Sequence, residues 1–204
     1  MPADMTTAIP WRDAAFAPVW RQETSRSNAI VQVRDLGPML WRASYVSAPL
    51  QKDVAEAFEA RMTLLRGSLG TFYGHPAQRR RPIAYTGAAF GGVTVAGMTN
   101  NRAAIRLQGL VPGMSLRPGD YASITTAAGG RELIRLAEAV SADAQGVMTQ
   151  NADCAPHLRP SVAVGQPVDL FDPLVELRLD APVTVERISG PLYRVSFQAT
   201  QVVW

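Results

Sequence analysis

Cysteine is almost absent from this 204-residue chain. Cys154 is the single example, which rules out an internal disulfide and any zinc or iron–sulfur site built from several cysteines. Lysine is equally scarce, with Lys52 alone, so arginine carries nearly all the positive side of a net charge of +3. Planar guanidinium groups form forked, partly buried ion pairs that lysine cannot match. No block of five like charges exists to act as a nucleic-acid-binding arm. No apolar run approaches the ~20 residues that a membrane-spanning helix needs. Residues 1–9 also lack the basic and apolar regions of a secretory leader. These absences point to a chain made and folded in a reducing cytoplasm, with no membrane partner.

Hydrophobic residues make up 47% of the chain and charged residues 18%, so a sizeable core can form and general disorder is excluded. Residues 1–27 read as an irregular arm, because Pro2, Pro10 and Pro18 are placed among Trp11, Phe16 and Trp20. Such an arm would lie across its own domain or across a neighbouring subunit. A short strand is expected at 29–34, then a turn at Gly37-Pro38. Over 39–47, Trp41, Ala43 and Tyr45 alternate with Arg42 and Ser44, the pattern of a half-buried antiparallel strand. Residues 50–66 predict the one helix, with Val54, Phe58, Met62 and Leu65 along one stripe and Gly67 as its stop.

An aromatic strand at 70–74 precedes the Arg79-Arg80-Arg81-Pro82 turn. Further strands are expected at 104–108, 120–126, 132–137, 146–149 and 174–178, with glycine and proline clusters between them. Residues 133–140 could form a helical turn instead. At the C-terminus, 183–188 and 193–203 form a hairpin around Ser189-Gly190-Pro191, with Tyr193, Val195, Phe197, Ala199 and Val203 on one face. The predicted fold is mainly β. A split β-sandwich or barrel is made of residues 28–82 and 181–204 with the helix at 50–66, and a small β-barrel, 83–180, is inserted into it.

Groups suited to catalysis are few. His75 and His157 are the only histidines. His75, in Gly-His-Pro, reads as a turn residue. Cys154 and His157 have Cys-x-x-His spacing, but a metal needs three or four ligands and only Asp153 lies nearby. A Cys–His nucleophilic pair would need a third, orienting group that nothing marks. Gly91-Gly92 and Gly129-Gly130 fit hairpin tips, since no lysine-bearing phosphate loop follows either pair. The chain is therefore expected to be no enzyme, with no catalytic residue, metal or cofactor. Candidate subunit-interface residues are the aromatics Trp11, Phe16, Trp20 and Trp204 and the turn residues Arg79, Arg80 and Arg81, which suit contacts to an acidic neighbour.

Several fragments, in order, carry a family resemblance. They are Trp41-Arg42-Ala43-Ser44-Tyr45, Pro49-Leu50, Leu65-Arg66-Gly67, Gly70-Thr71-Phe72-Tyr73, Leu116-Arg117-Pro118-Gly119-Asp120-Tyr121 and Gly190-Pro191-Leu192-Tyr193-Arg194-Val195-Ser196-Phe197. With them the chain resembles the distal tail proteins of siphophages and of related gene transfer agents. The resemblance implies a structural ring, a hexamer, at the tail tip, joining the tail tube to the hub or receptor-binding apparatus. DNA would pass through it without sequence-specific binding. Its partners would be further copies of itself, the tail tube protein, the hub and other tail-tip proteins. It would reside in the virion after synthesis in the bacterial host cytoplasm. The family often carries a C-terminal carbohydrate-module-like domain, for which a chain ending at Trp204 leaves no room. Two rival readings are a β-barrel module that binds a carbohydrate or another ligand at the tail tip, and a small wall-cutting hydrolase.

Overall fold

The computed structural model describes residues 4–27 and 30–203. Strands β1 (Trp11–Ser27) and β2 (Ile30–Ser47) form one long antiparallel hairpin. A two-residue strand, β3 (Leu50–Gln51), leads into the helix α1 (Lys52–Thr63), and β4 (Phe72–Gly74) follows. The middle of the chain forms β5 (Thr94–Met98), β6 (Ala104–Gln108), β7 (Ser115–Leu116) and β8 (Tyr121–Thr125). It continues through β9 (Arg131–Leu136), β10 (Val140–Ser141), β11 (Ala152–Ala155) and β12 (Val168–Asp169). The chain closes with β13 (Val175–Leu179), β14 (Thr184–Ser189) and β15 (Leu192–Gln201).

The two ends of the chain share a seven-stranded sheet in the order β1-β2-β15-β13-β4, with β3 and β14 also paired to β15. The middle forms a six-stranded sheet, β12-β8-β9-β11-β6-β5, and a two-stranded one, β10-β7. The fold is thus mainly β with one helix and several antiparallel sheets. Among the described residues none closes into a barrel, contrary to the expected inserted barrel. The outer strands of the six-stranded sheet approach each other through a bridge between Thr94 and Pro167.

Register explains the first core. Tyr45 stands opposite Phe197, and Ala43 opposite Ala199, so one face of β2 and β15 presents rings beside small residues. Phe58 of α1 stacks on Phe197 with centroids 6.1 Å apart, and Tyr45 also stacks on Phe197 at 4.9 Å. Ala55, Phe58 and Met62 are the buried helix positions, while Val54 is exposed. Phe58 and Met62 of the expected stripe are thus buried, and Leu65 just past the helix packs against the same core, whereas Ala55 takes the place of Val54. The helix is also shorter than 50–66, because Leu50 pairs with Tyr193 as part of a strand. A second core fills the middle of the chain, with Ile105, Leu107, Leu116, Ile124, Ile134 and Leu136 at its centre.

The two cores meet along one seam. Tyr121 and Leu133 of the middle segment join the first core, and the Trp41 indole N–H donates to the Leu133 carbonyl at 2.8 Å. Strand β13 belongs to the first sheet, pairing with β15 and β4, so the inserted unit ends before Val175 rather than at 180. Residues 146–149 form isolated bridges rather than a strand, and 131–136 form a strand rather than a helical turn. Strand β5 follows Gly91-Gly92 directly and was not anticipated.

Candidate functional site

The arm expected to be irregular is a strand over most of its length. Pro18 is tolerated because β1 is the edge of its sheet, where no ladder partner needs its missing N–H. Gly37-Pro38 does not turn the chain either. The hairpin passes through register shifts between Val19 and Gln22, and β2 runs on. Gly37 adopts φ of 153°, and the Arg21 guanidinium lies 3.3 Å from where a Cβ would stand. A β-bulge with a glycine accounts for the proline–glycine signal as well as a turn does.

Up to Val19 the hairpin is built into its own domain. Trp11 packs its ring on Tyr45, Phe58 and Phe197, with centroids 4.9–5.7 Å away, and donates its indole N–H to the Thr6 carbonyl. Phe16 is half-buried against Tyr45 and Tyr121. Two of the four candidate aromatic anchors thus complete the monomer's own core. Trp204 lies outside the described residues.

Beyond Val19 the hairpin leaves the core. Residues 20–26 and 31–36 are exposed throughout, including Trp20 at 60%, Val31 at 59%, Val33 at 58% and Leu36 at 51%. Cross-strand partners share a face, so Thr24, Arg26, Val31 and Val33 stand on one side of this ribbon. Glu23, Ser25, Gln32 and Arg34 stand on the other. Both edges are free among the described residues. β1 has no neighbour but β2, and β2 meets β15 only over Arg42–Val46. An isolated two-stranded ribbon is marginally stable in water, and free strand edges invite pairing. A short strand was expected at 29–34, but whether its neighbour was a core or solvent was not encoded locally.

The arginine turn divides by role. Arg80 pairs with Asp172 of the same chain, and its carbonyl accepts the Asp172 N–H at 2.7 Å. Arg79 and Arg81 are exposed and have no carboxylate partner among the described residues. Arg79 reaches toward Gly119 beside Arg135, whose guanidinium lies 5.8 Å from the Tyr121 ring centre. Residues 78–83 line an open groove of about 420 Å³. Sequence reading missed Arg135, because β9 brings it to the turn from far along the chain.

The remaining chemical groups are dispersed. Cys154 lies in β11, not in a loop, and is buried in the second core. Burial and the nearby carboxylates of Glu132 and Asp153 push its thiol up to about 12. His157 is exposed, so the pair is split between core and solvent. His75, read as a turn residue, directly follows β4 and is buried, with Nδ1 2.8 Å from the Thr6 hydroxyl, and its carbonyl accepts the Tyr45 hydroxyl at 2.8 Å. Desolvation holds its imidazole below the usual histidine range, opposed by Asp4. Among the described residues no three His, Cys, Asp or Glu side chains gather as a metal site.

One buried polar group was not anticipated. Glu132 is 1% exposed; its Oε1 accepts the Arg159 backbone N–H at 3.0 Å, while its Oε2 has no partner among the described residues. Burial raises its carboxyl above the ordinary range, against the pull of Arg159 and Arg102. No protein-family model matches this chain, and no curated protein matches its sequence.

Proposed function

We propose that this protein is a ring-forming structural subunit of a phage tail tip, a distal tail protein that links the tail tube to the hub or receptor-binding apparatus. The observation that carries the reading is the projecting half of the β1–β2 hairpin, with both edges unpaired and apolar side chains in water. The free edge of β1 suits the free edge of β2 from a second copy, because adding hairpins in the order β1-β2-β1-β2 keeps every pair antiparallel. That contact is head-to-tail, and head-to-tail contacts that close on rotation give rings. A closed ring of hairpins abolishes the free edges of all its members at once.

The composition of the ribbon suits a channel for DNA. Arg21, Arg26 and Arg34 are offset by Glu23 and Asp35, so the wall would be nearly balanced rather than densely basic. Dense phosphate contacts would hold the genome and make its passage strongly salt-dependent. Arg79 and Arg81 would meet carboxylates of an adjoining subunit or ring, setting register more than affinity. The partners are copies of itself, the tail tube protein and the hub. The site is the virion's distal tail, after synthesis in the host cytoplasm, and the role involves no turnover. No helix among the described residues is long and apolar enough to cross a membrane.

The test is mass photometry of the full chain beside a variant in which residues 21–36 are replaced by Asn-Gly. The full chain should give a closed oligomer of one size, and the shortened chain monomers of unchanged fold. Oligomers that persist in the shortened chain would contradict the assignment of the hairpin.

A further inference from the structure

At the seam between the two units, the tip of the β8–β9 hairpin and the end of β15 border a partly open cavity of about 110 Å³. It is lined by Thr126, Gly130, Glu132, Arg159, Ser161 and Val202, among others. That volume admits a small organic molecule or a few waters. Two of its lining residues carry buried polar atoms without partners: Glu132 Oε2, and Nε and Nη2 of Arg159. Nε and Nη2 are the side-on edge of a guanidinium, two parallel N–H bonds spaced for the two oxygens of a carboxylate. Glu132 and Arg159 do not satisfy each other by a direct ion pair, although the Arg159 backbone is bonded to Glu132. Buried charged groups left in this state are costly, and each calls for a partner.

We propose that this cavity is a binding site for a small carboxylate that bears a hydrogen-bond donor on the adjacent carbon, such as a hydroxy acid or an amino acid. The ligand carboxylate lies on the Arg159 fork, and its hydroxyl or ammonium donates to Glu132 Oε2. The charge balance suits an anion. Arg131 is neutralised by Asp169, while Arg102 spends its guanidinium on the carbonyls of Arg159 and Val162, leaving Arg102 and Arg159 against Glu132 alone. A hydroxy acid supplies the one further negative charge that completes the neutral set, whereas a zwitterionic amino acid adds no net charge and matches the two separate charges of Arg159 and Glu132 instead. Arg102 also fixes the loop that carries Arg159, so the fork is held in place before the ligand arrives. Because Val202 belongs to one unit and the β8–β9 tip to the other, occupancy would stabilise the seam. The site is independent of ring formation.

The experiment is isothermal titration of the full chain with glycolate, glycine, acetate and glycerol, alongside a high-resolution crystal structure soaked in glycolate. Glycolate or glycine should bind saturably, acetate about tenfold more weakly for want of the donor, and glycerol not at all. Arg159→Lys, which keeps the charge but loses the fork, should weaken binding by about tenfold or more. Glu132→Gln should abolish the preference for glycolate over acetate. A cavity holding ordered water only in the soaked crystal, or no saturable binding by either donor-bearing acid, would overturn the proposal. Equal affinity for acetate and glycolate would do the same.

Discussion

Phe58 marks the point where the helix meets the sheet, wedged between Trp11 and Phe197 and almost wholly buried. Truncation to alanine removes that burial and leaves a cavity that close-packed rings cannot fill, so Phe58→Ala should cost about 3–5 kcal/mol. Glu56 on the same helix is exposed and makes only a solvent-screened contact to Lys52. Its replacement by alanine should cost under about 0.5 kcal/mol. Urea melts of the two variants separate these outcomes, and equal mildness would mean that the helix does not pack as described. His75 makes a second prediction. Its folded-state affinity for a proton is lowered, chiefly by desolvation, with Asp4 and Asp172 opposing and Arg80 reinforcing the shift. Above the ordinary histidine value of about 6.5 both folded and unfolded states are neutral, and no penalty arises. As pH falls below that value the unfolded chain takes up the proton first, so this share of stability is lost as the pH drops through the depressed folded value. His75→Gln should flatten the loss that sets in as pH falls below the ordinary histidine value of about 6.5. Parallel curves for the two proteins would show that another group governs the acid limb.

At the scale of elements, the strands of the cores were legible and the fate of the hairpin was not. β6 was read residue for residue, and β15 nearly so, because alternation over several residues reports burial on one face. Gln201 is a polar residue in the same alternating series as Val195, Phe197 and Ala199. It is buried, and its side-chain carbonyl accepts the Trp41 backbone N–H, while its Nε2 has no partner among the described residues, so the amide is half satisfied. The proline at position 18 and the Gly37-Pro38 pair misled in the same way. Both are breakers inside a sheet but are permitted at an edge and at a bulge, and edge position is set by distant pairing. Short strands such as β7, β10 and β12 have two residues each, too few for any period to show. Of the candidate site, the aromatic and arginine residues were visible, yet only the fold sorts Trp11 and Phe16 into the core from Trp20 in solvent. Since the ribbon beyond Val19 joins no core, replacing residues 21–36 by Asn-Gly should shift stability by less than about 1 kcal/mol. A large drop in the denaturation midpoint would show that the ribbon supports the monomer rather than an assembly.

At the scale of the whole molecule, the buried Trp41 indole bond to the Leu133 carbonyl ties the two units together. Trp41→Phe keeps most of the ring but orphans a buried carbonyl, so it should cost about 1–3 kcal/mol. Hydrogen exchange should then show faster opening at β9 than in the outer strands of the inserted unit; uniform acceleration would deny the seam a special role. The split arrangement has a consequence for assembly. The hairpin is anchored in the seven-stranded sheet at one end, where β2 pairs with β15 over Arg42–Val46, so it leaves every copy from the same place. With the hairpin so anchored, identical subunits can present the same two edges at the same angle, which closure into a ring demands. The most direct measurement is an electron-microscopy reconstruction of assembled tails. The account predicts this chain as a ring on the tail axis at the distal end, with residues 20–36 of every copy forming the inner wall. Density for the chain off the axis, or hairpins standing free in solvent around an intact ring, would contradict it.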